Sequence, residues 1–124
     1  MNLEETLKAM LEAATGAAKG KWGKLKGFAQ AELRTLAENG KVLGESLAAD
    51  LKAAALLPTA EEREAAVGIA RKRAEFGMRG IVRAGEGLAL AVEADVKLAA
   101  QDAVNAALGV LRGAINQAAG VKVL

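Results

Sequence analysis

Apolar residues recur every three or four positions through most of the chain, on both sides of its single proline, Pro58. Leu3 and Leu36 belong to the row before the proline, and Val67 and Ile81 belong to the row after it. Neither row includes a charged residue. This spacing is typical of one face of an α-helix. The pattern therefore predicts an all-α protein.

The segment around Pro58 predicts where one helix ends and the next begins. A proline pushes the residue before it out of the α region, and Thr59 followed by Glu62 has the spacing of a capping box. We therefore expect two helical arms, at about residues 2–57 and 60–120, that fold back on each other as a long antiparallel hairpin.

The 14 glycines of the chain leave a second architecture open. Each glycine inside a helix costs about 1 kcal/mol relative to alanine, so breaks near Gly20 and Gly40 would give a compact bundle of four or more shorter helices. We favour continuous arms because the apolar rows keep their phase across the glycines. In either case we expect a single all-helical domain over residues 1–124. Glycines four residues apart, such as Gly40 and Gly44, predict close helix–helix contacts.

A hairpin that turns at Pro58 also predicts which residues of the two arms meet. In the register set by that turn, Leu43 lies opposite Ala74, and a large side chain packs on a small one. The same register brings Glu38 near Arg79, and flanking charges of this kind select the orientation of paired helices.

A second apolar row lies beside the first and cannot be buried in the single seam of a two-helix hairpin. We expect the hairpin to self-associate through this row, as a coiled-coil-like four-helix bundle or a larger homo-oligomer. The alternative is a monomer in which extra helices bury the row internally. The candidate self-association residues are Met10, Phe28, Ile69, Phe76, Leu90, Leu98, Leu108, Leu111 and Ile115.

A lysine-rich segment near the N-terminus is a candidate surface-binding patch, formed by Lys19, Lys21, Trp22, Lys24 and Lys26. Basic amphipathic segments bind anionic membranes or nucleic acids. The same residues also fit a structural role, with Trp22 in the core and the lysines in solvent. A second basic cluster, at residues 71–73 with Arg79 and Arg83, has the same two interpretations.

The residue types of the chain argue against catalysis. Histidine and cysteine are absent, which excludes His-based acid–base catalysis and thiolate metal sites. Ser46 is the only serine and has no evident base. We therefore expect no catalytic, cofactor-binding or metal-binding residues, no cofactor and no small-molecule substrate. The balance of 17 basic and 15 acidic residues lacks the strong basic excess of most nucleic-acid-binding proteins.

The cellular location is expected to be cytoplasmic, with a virion as the alternative. The acidic, amphipathic N-terminus does not resemble a signal peptide. The sequence has no stretch of about 18 uncharged apolar residues, which a transmembrane helix would need, so no transmembrane helix is predicted.

These features favour a non-enzymatic, self-associating helical protein that serves as a scaffold or assembly component, with itself as the main partner. The alternative is an amphipathic protein that binds a membrane, lipid granule or nucleic acid through the lysine-rich segment. The alanine-rich amphipathic composition is similar to that of phasins and small virion or prophage structural proteins; the similarity is one of composition and not of motifs. A phage or prophage virion component is therefore a further alternative.

Overall fold

The computed structural model describes residues 1–120 and 124, apart from the side chains of Lys26 and Phe28. This part of the chain contains helices and no strand, so the prediction of an all-α fold is confirmed. Four α-helices and one short 3-10 helix follow each other in the order α1 (Leu3–Ala17), α2 (Trp22–Ala55), α3 (Ala60–Leu90), the 3-10 helix (Ala94–Val96) and α4 (Lys97–Ala119).

The turn predicted at Pro58 is confirmed, because α2 ends at Ala55 and α3 begins at Ala60. The hydroxyl of Thr59 accepts a hydrogen bond of 3.1 Å from the backbone N–H of Glu62. This bond satisfies one of the backbone donors left free at a helix start. The guanidinium of Arg63 donates to the carbonyl of Leu57 over 2.8 Å and ties the new helix to the end of the old one.

The continuous first arm predicted for residues 2–57 is wrong between α1 and α2. Lys19 and Gly20 have φ values of 50° and 86°, in the left-handed region where a right-handed helix cannot continue. The break therefore falls near Gly20, as the alternative architecture predicted. The connection between α1 and α2 is four residues long, close to the roughly 3.6 residues of one helical turn, so the apolar row keeps its phase across it. Both helices bury this row in the same core.

The continuous second arm predicted for residues 60–120 is also wrong. Helix α3 ends at Leu90, and Glu93 adopts an extended conformation before the 3-10 helix. Neither glycine nor proline occurs between residues 91 and 96, so no common breaker residue marks this turn.

Helices α2 and α3 pack against each other, but in a different register from the predicted one. Leu43 packs against Gly77, where a Cβ would lie 2.7 Å from Cδ1 of Leu43. The predicted partner of Leu43 was Ala74, so the pairing is shifted by about one helical turn. Glu38 forms an ion pair with Arg34 of its own helix, at 3.5 Å, where pairing across to α3 was predicted.

A break at Gly40 is not observed, because α2 runs through it. Gly40 is buried against Leu111 of α4, and a Cβ at this position would overlap the Leu111 side chain. Gly44 also packs against α4, where a Cβ would lie 3.8 Å from Ala118 Cβ. These two glycines therefore allow α2 and α4 to approach closely. The same spacing predicted contacts for three other pairs that have no neighbour within 4 Å of an added Cβ: Gly16 with Gly20, Gly23 with Gly27, and Gly109 with Gly113.

The four α-helices bury one common core within a single chain. Helix α1 packs on α4 and α2, and α3 packs on α2 and α4, so that α2 and α4 contact every other α-helix. The core is apolar and includes Met10, Leu33, Leu36, Leu47, Leu111 and Ile115. The folded-back helices therefore cover seams that a simple two-arm hairpin would leave open.

Candidate interaction surface

The second apolar row predicted for self-association is divided by the fold into a buried part and an exposed part. Met10 of α1 is buried, and so are Leu108, Leu111 and Ile115 of α4. These four side chains belong to the core of their own chain and cannot contact another copy while the chain is folded. For them the alternative of internal burial is correct.

The exposed part of the row lies on α3 and at the start of α4. Ile69, Phe76, Leu90 and Leu98 are between 55% and 78% exposed, and Phe76 is the most exposed of the four. The side chain of Phe28 lies outside the described residues. Large apolar side chains that remain open to water are candidates for contacts with another molecule.

Three of these residues share one face of α3, which we call the outer face of α3. It consists of Ile69, Lys72, Phe76, Arg79, Gly80, Arg83, Gly87 and Leu90, all of them exposed. Ile69, Phe76, Arg83 and Leu90 follow each other at intervals of seven residues, nearly two helical turns, and therefore form a row along the helix. Because α3 packs on α2 and α4 by its other side, the described residues of the chain leave this face open.

The outer face of α3 combines these apolar side chains with charges. Within the described residues, Lys72, Arg79 and Arg83 form no ion pair. Arg73 at the edge of the face pairs with Asp50 of α2 at 3.8 Å. Beside the face, an open groove of about 420 Å³ is lined by Arg79, Arg83, Arg112 and also Glu75 and Glu86. The surface is therefore mixed in charge with a local basic excess.

Two residues of the predicted lysine-rich patch contact the turn between α3 and α4. The ammonium of Lys24 binds the Asp95 carboxylate at 3.2 Å, and the ammonium of Lys21 donates to the Asp95 carbonyl over 2.9 Å. The hydrogen bond and charge of Lys24 lower the pKa of Asp95, and the Lys21 charge acts in the same direction. These contacts connect the turn that follows α1 to the turn that follows α3.

The remaining members of the patch have different surroundings. Trp22 is half-buried and packs against the apolar core, as the structural interpretation of this segment predicted. Lys19 is exposed in the turn between α1 and α2, and the side chain of Lys26 lies outside the described residues. The structure therefore brings Lys21 and Lys24 together around Asp95 instead of leaving both free to bind another molecule.

In the described part of the chain, the cavity between the packed helices is too small for a ligand, whereas open grooves of about 350–470 Å³ lie at the surface. A cavity of about 20 Å³ between α2, α3 and α4 is lined by apolar side chains such as Trp22, Leu33, Leu88 and Val104. Pockets for small molecules usually measure about 300–1,000 Å³. Within residues 1–120 and 124, no group of three or more acidic, histidine or cysteine side chains could hold a metal ion.

No helix within residues 1–120 and 124 is both long enough and apolar enough to cross a bilayer.

Sequence reasoning missed two features of these surfaces. Asp95, which contacts both Lys21 and Lys24, was not predicted as their partner. The residues around Asp95 give no indication of a contact with residues more than 70 positions away in the sequence. Gly80 and Gly87 of the outer face were missed too, although their spacing of seven residues is visible in the sequence.

Comparisons with protein-family models, with curated proteins and with solved structures find no match for this chain.

Proposed function

We propose that this protein is a non-enzymatic, self-associating helical component of a larger assembly, and that its copies contact each other through the outer face of α3. The observation that carries the proposal is the uncovered apolar row of Ile69, Phe76 and Leu90, whose side chains remain more than half exposed on one face of α3. A virion is one assembly in which such a protein could serve.

The size of the apolar row supports a reversible association. Burying a large apolar side chain stabilises by about 1.5–3 kcal/mol. For three such side chains on each of two copies, already covered in part, the gain is roughly 6–12 kcal/mol. Association costs about 4–15 kcal/mol in lost freedom. The two ranges overlap, so we expect weak association whose extent depends on protein concentration.

Light scattering coupled to size-exclusion chromatography, over a range of protein concentrations, tests this proposal. The expected mass exceeds the 12.7 kDa of one chain and rises with concentration. Phe76→Ser should lower the mass at every concentration. Val42→Ser is the matched control, because Val42 is also exposed and apolar but lies on α2, and it should behave like the unmodified chain. A helical chain that stays monomeric at the highest concentration contradicts the proposal.

A second candidate function is binding to an anionic surface, and the unpaired cations of the outer face of α3 favour it. Lys72, Arg79 and Arg83 lie on either side of Phe76, and such a face suits anionic lipid or nucleic acid. Cosedimentation with phosphatidylserine vesicles and a DNA-binding assay, each at low and moderate salt, test it. Binding that is lost in Arg79→Glu and Arg83→Glu would support this candidate, and no binding to either would reject it.

A further inference from the structure

We propose that a second copy of this chain docks antiparallel on the outer face of α3, with Ile69 opposite Leu90 and Phe76 opposite Arg83 of the second copy. The two-fold axis then passes between Arg79 and Gly80. This inference rests on the proposed function of self-association and names its surface, orientation and register.

The spacing of the apolar row selects this register. Ile69, Phe76, Arg83 and Leu90 are symmetric about the point between Arg79 and Gly80, so a two-fold axis there forms each contact twice. Apolar Ile69 meets apolar Leu90, and the Phe76 ring meets the Arg83 guanidinium in a cation–π contact. A parallel pair would instead place Arg83 against Arg83. An antiparallel pair centred on Phe76 would place Ile69 against Arg83.

Two glycines on the same face support a close approach of the two helices. Gly80 lies next to the proposed axis, and Gly87 lies one heptad further along the helix. Apart from the adjacent backbone of α3 itself, no heavy atom of the described residues lies within 4 Å of a Cβ added at either position, so packing inside the chain does not require glycine there. Because glycine destabilises a helix interior, two such residues on a face rich in apolar side chains fit a contact with another helix.

The charges at the rim of the face complement each other in this register. Lys72 and Glu86 lie fourteen residues apart, nearly four helical turns, and therefore share one rim of the face. A two-fold axis brings Lys72 of each copy to Glu86 of the other. Arg79 meets Arg79 of the second copy at the same rim, where both long side chains reach solvent and the repulsion is screened by salt. An anionic membrane would be repelled by Glu86, whereas a second copy pairs with it.

A charge exchange between two variants tests the register. Lys72→Glu alone and Glu86→Lys alone should each reduce association, because each variant places like charges opposite each other in its own dimer. An equimolar mixture should associate as the unmodified chain does, since both ion pairs are restored in the mixed dimer. Sedimentation velocity measures the outcome, and circular dichroism verifies that each variant is folded.

Disulfide trapping provides an independent readout because the chain contains no cysteine of its own. Gly80→Cys should form a disulfide-linked dimer under mild oxidation, since the two copies of residue 80 meet near the axis. Gly68→Cys is the matched control: it is also an exposed α3 glycine with open surroundings, and its two copies would be about 35 Å apart along the helices.

The results separate the two proposals. Rescue in the mixture, together with crosslinking of Gly80→Cys but not Gly68→Cys, supports the register. If the chain associates but the mixture shows no rescue and both cysteine variants crosslink equally, the register is wrong and self-association stands. If the unmodified chain is monomeric throughout, both the register and the proposed function are wrong.

Discussion

The close approach of α2 and α4 at Gly40 leads to a prediction in which one substitution has opposite effects at two glycines. Gly40 is buried, and in Gly40→Ala the new Cβ would lie 2.9 Å from Cγ of Leu111. The Leu111 side chain is 0% exposed, so it can move only if its neighbours in the core also move. Gly109 is exposed on α4, and nothing lies within 4 Å of a Cβ added there.

The magnitudes follow from helix propensity and overpacking. Alanine gains about 1 kcal/mol over glycine inside a helix, and Gly109→Ala should gain approximately this amount. Gly40→Ala has the same favourable helix propensity, but its free energy of unfolding also falls by about 1–3 kcal/mol because the added methyl overpacks the core. We therefore expect Gly109→Ala to be more stable than Gly40→Ala by about 1–3 kcal/mol.

Urea unfolding followed by circular dichroism, at one protein concentration, measures these differences. Leu111→Ala supplies the second half of the test. By itself it should cost about 2–5 kcal/mol, but in that background Gly40→Ala should become stabilising, because the new methyl enters the vacated space. Equal stabilisation by Gly40→Ala and Gly109→Ala, with Gly40→Ala unaffected by Leu111→Ala, would refute the close approach of α2 and α4.

Three further predictions concern helix capping, surface charge and burial. Thr59→Ala should lower the free energy of unfolding by about 0.5–2 kcal/mol, because α3 loses its N-cap; an unchanged urea midpoint would contradict this role. The folded-state pKa of Asp95 is depressed by Lys24, so its stabilisation is present above the unfolded pKa of about 3.9 and is lost as pH falls through the folded pKa. The difference in urea midpoint between the unmodified chain and Asp95→Asn should therefore shrink once the pH falls below the unfolded pKa of about 3.9, and a difference that stays constant as the pH is lowered further would count against the ion pair. Ile115→Ala should cost about 2–5 kcal/mol because Ile115 is buried in the core, whereas Leu98→Ala should stay within about 0.5 kcal/mol; comparable losses in thermal or urea unfolding would mean that the division of the second apolar row is wrong.

The helical class and the turn at Pro58 were predictable because their causes are local. A spacing of three or four between apolar residues needs only a helix with one buried side. The proline and the Thr59 cap act on the backbone within one helical turn. Glycine spacing was a weaker guide: Gly40 and Gly44 pack against α4, whereas Gly23 and Gly27, with the same spacing in the same helix, have no neighbour within 4 Å of an added Cβ.

The two turns that divide the arms were harder to predict, for different reasons. The glycines at positions 16, 20 and 23 provide a signal for the first turn, but the apolar row keeps its phase across them, and an unbroken phase favours a continuous helix. A turn of about one helical period leaves the phase intact, so phase alone cannot distinguish a turn from a helix. The turn after Leu90 has no glycine or proline, and its contacts with Lys21 and Lys24 come from a distant part of the chain.

The sequence by itself therefore determined the helical class, the main turn and the presence of more apolar surface than one hairpin can bury. Only the tertiary structure decided how that surface is divided, with Met10 and Ile115 in the core and Phe76 open to water. The reason is that periodicity identifies which side chains share a face, whereas burial depends on which other helix covers that face. That choice is made by the folding back of α1 and α4, through contacts between residues far apart in the chain.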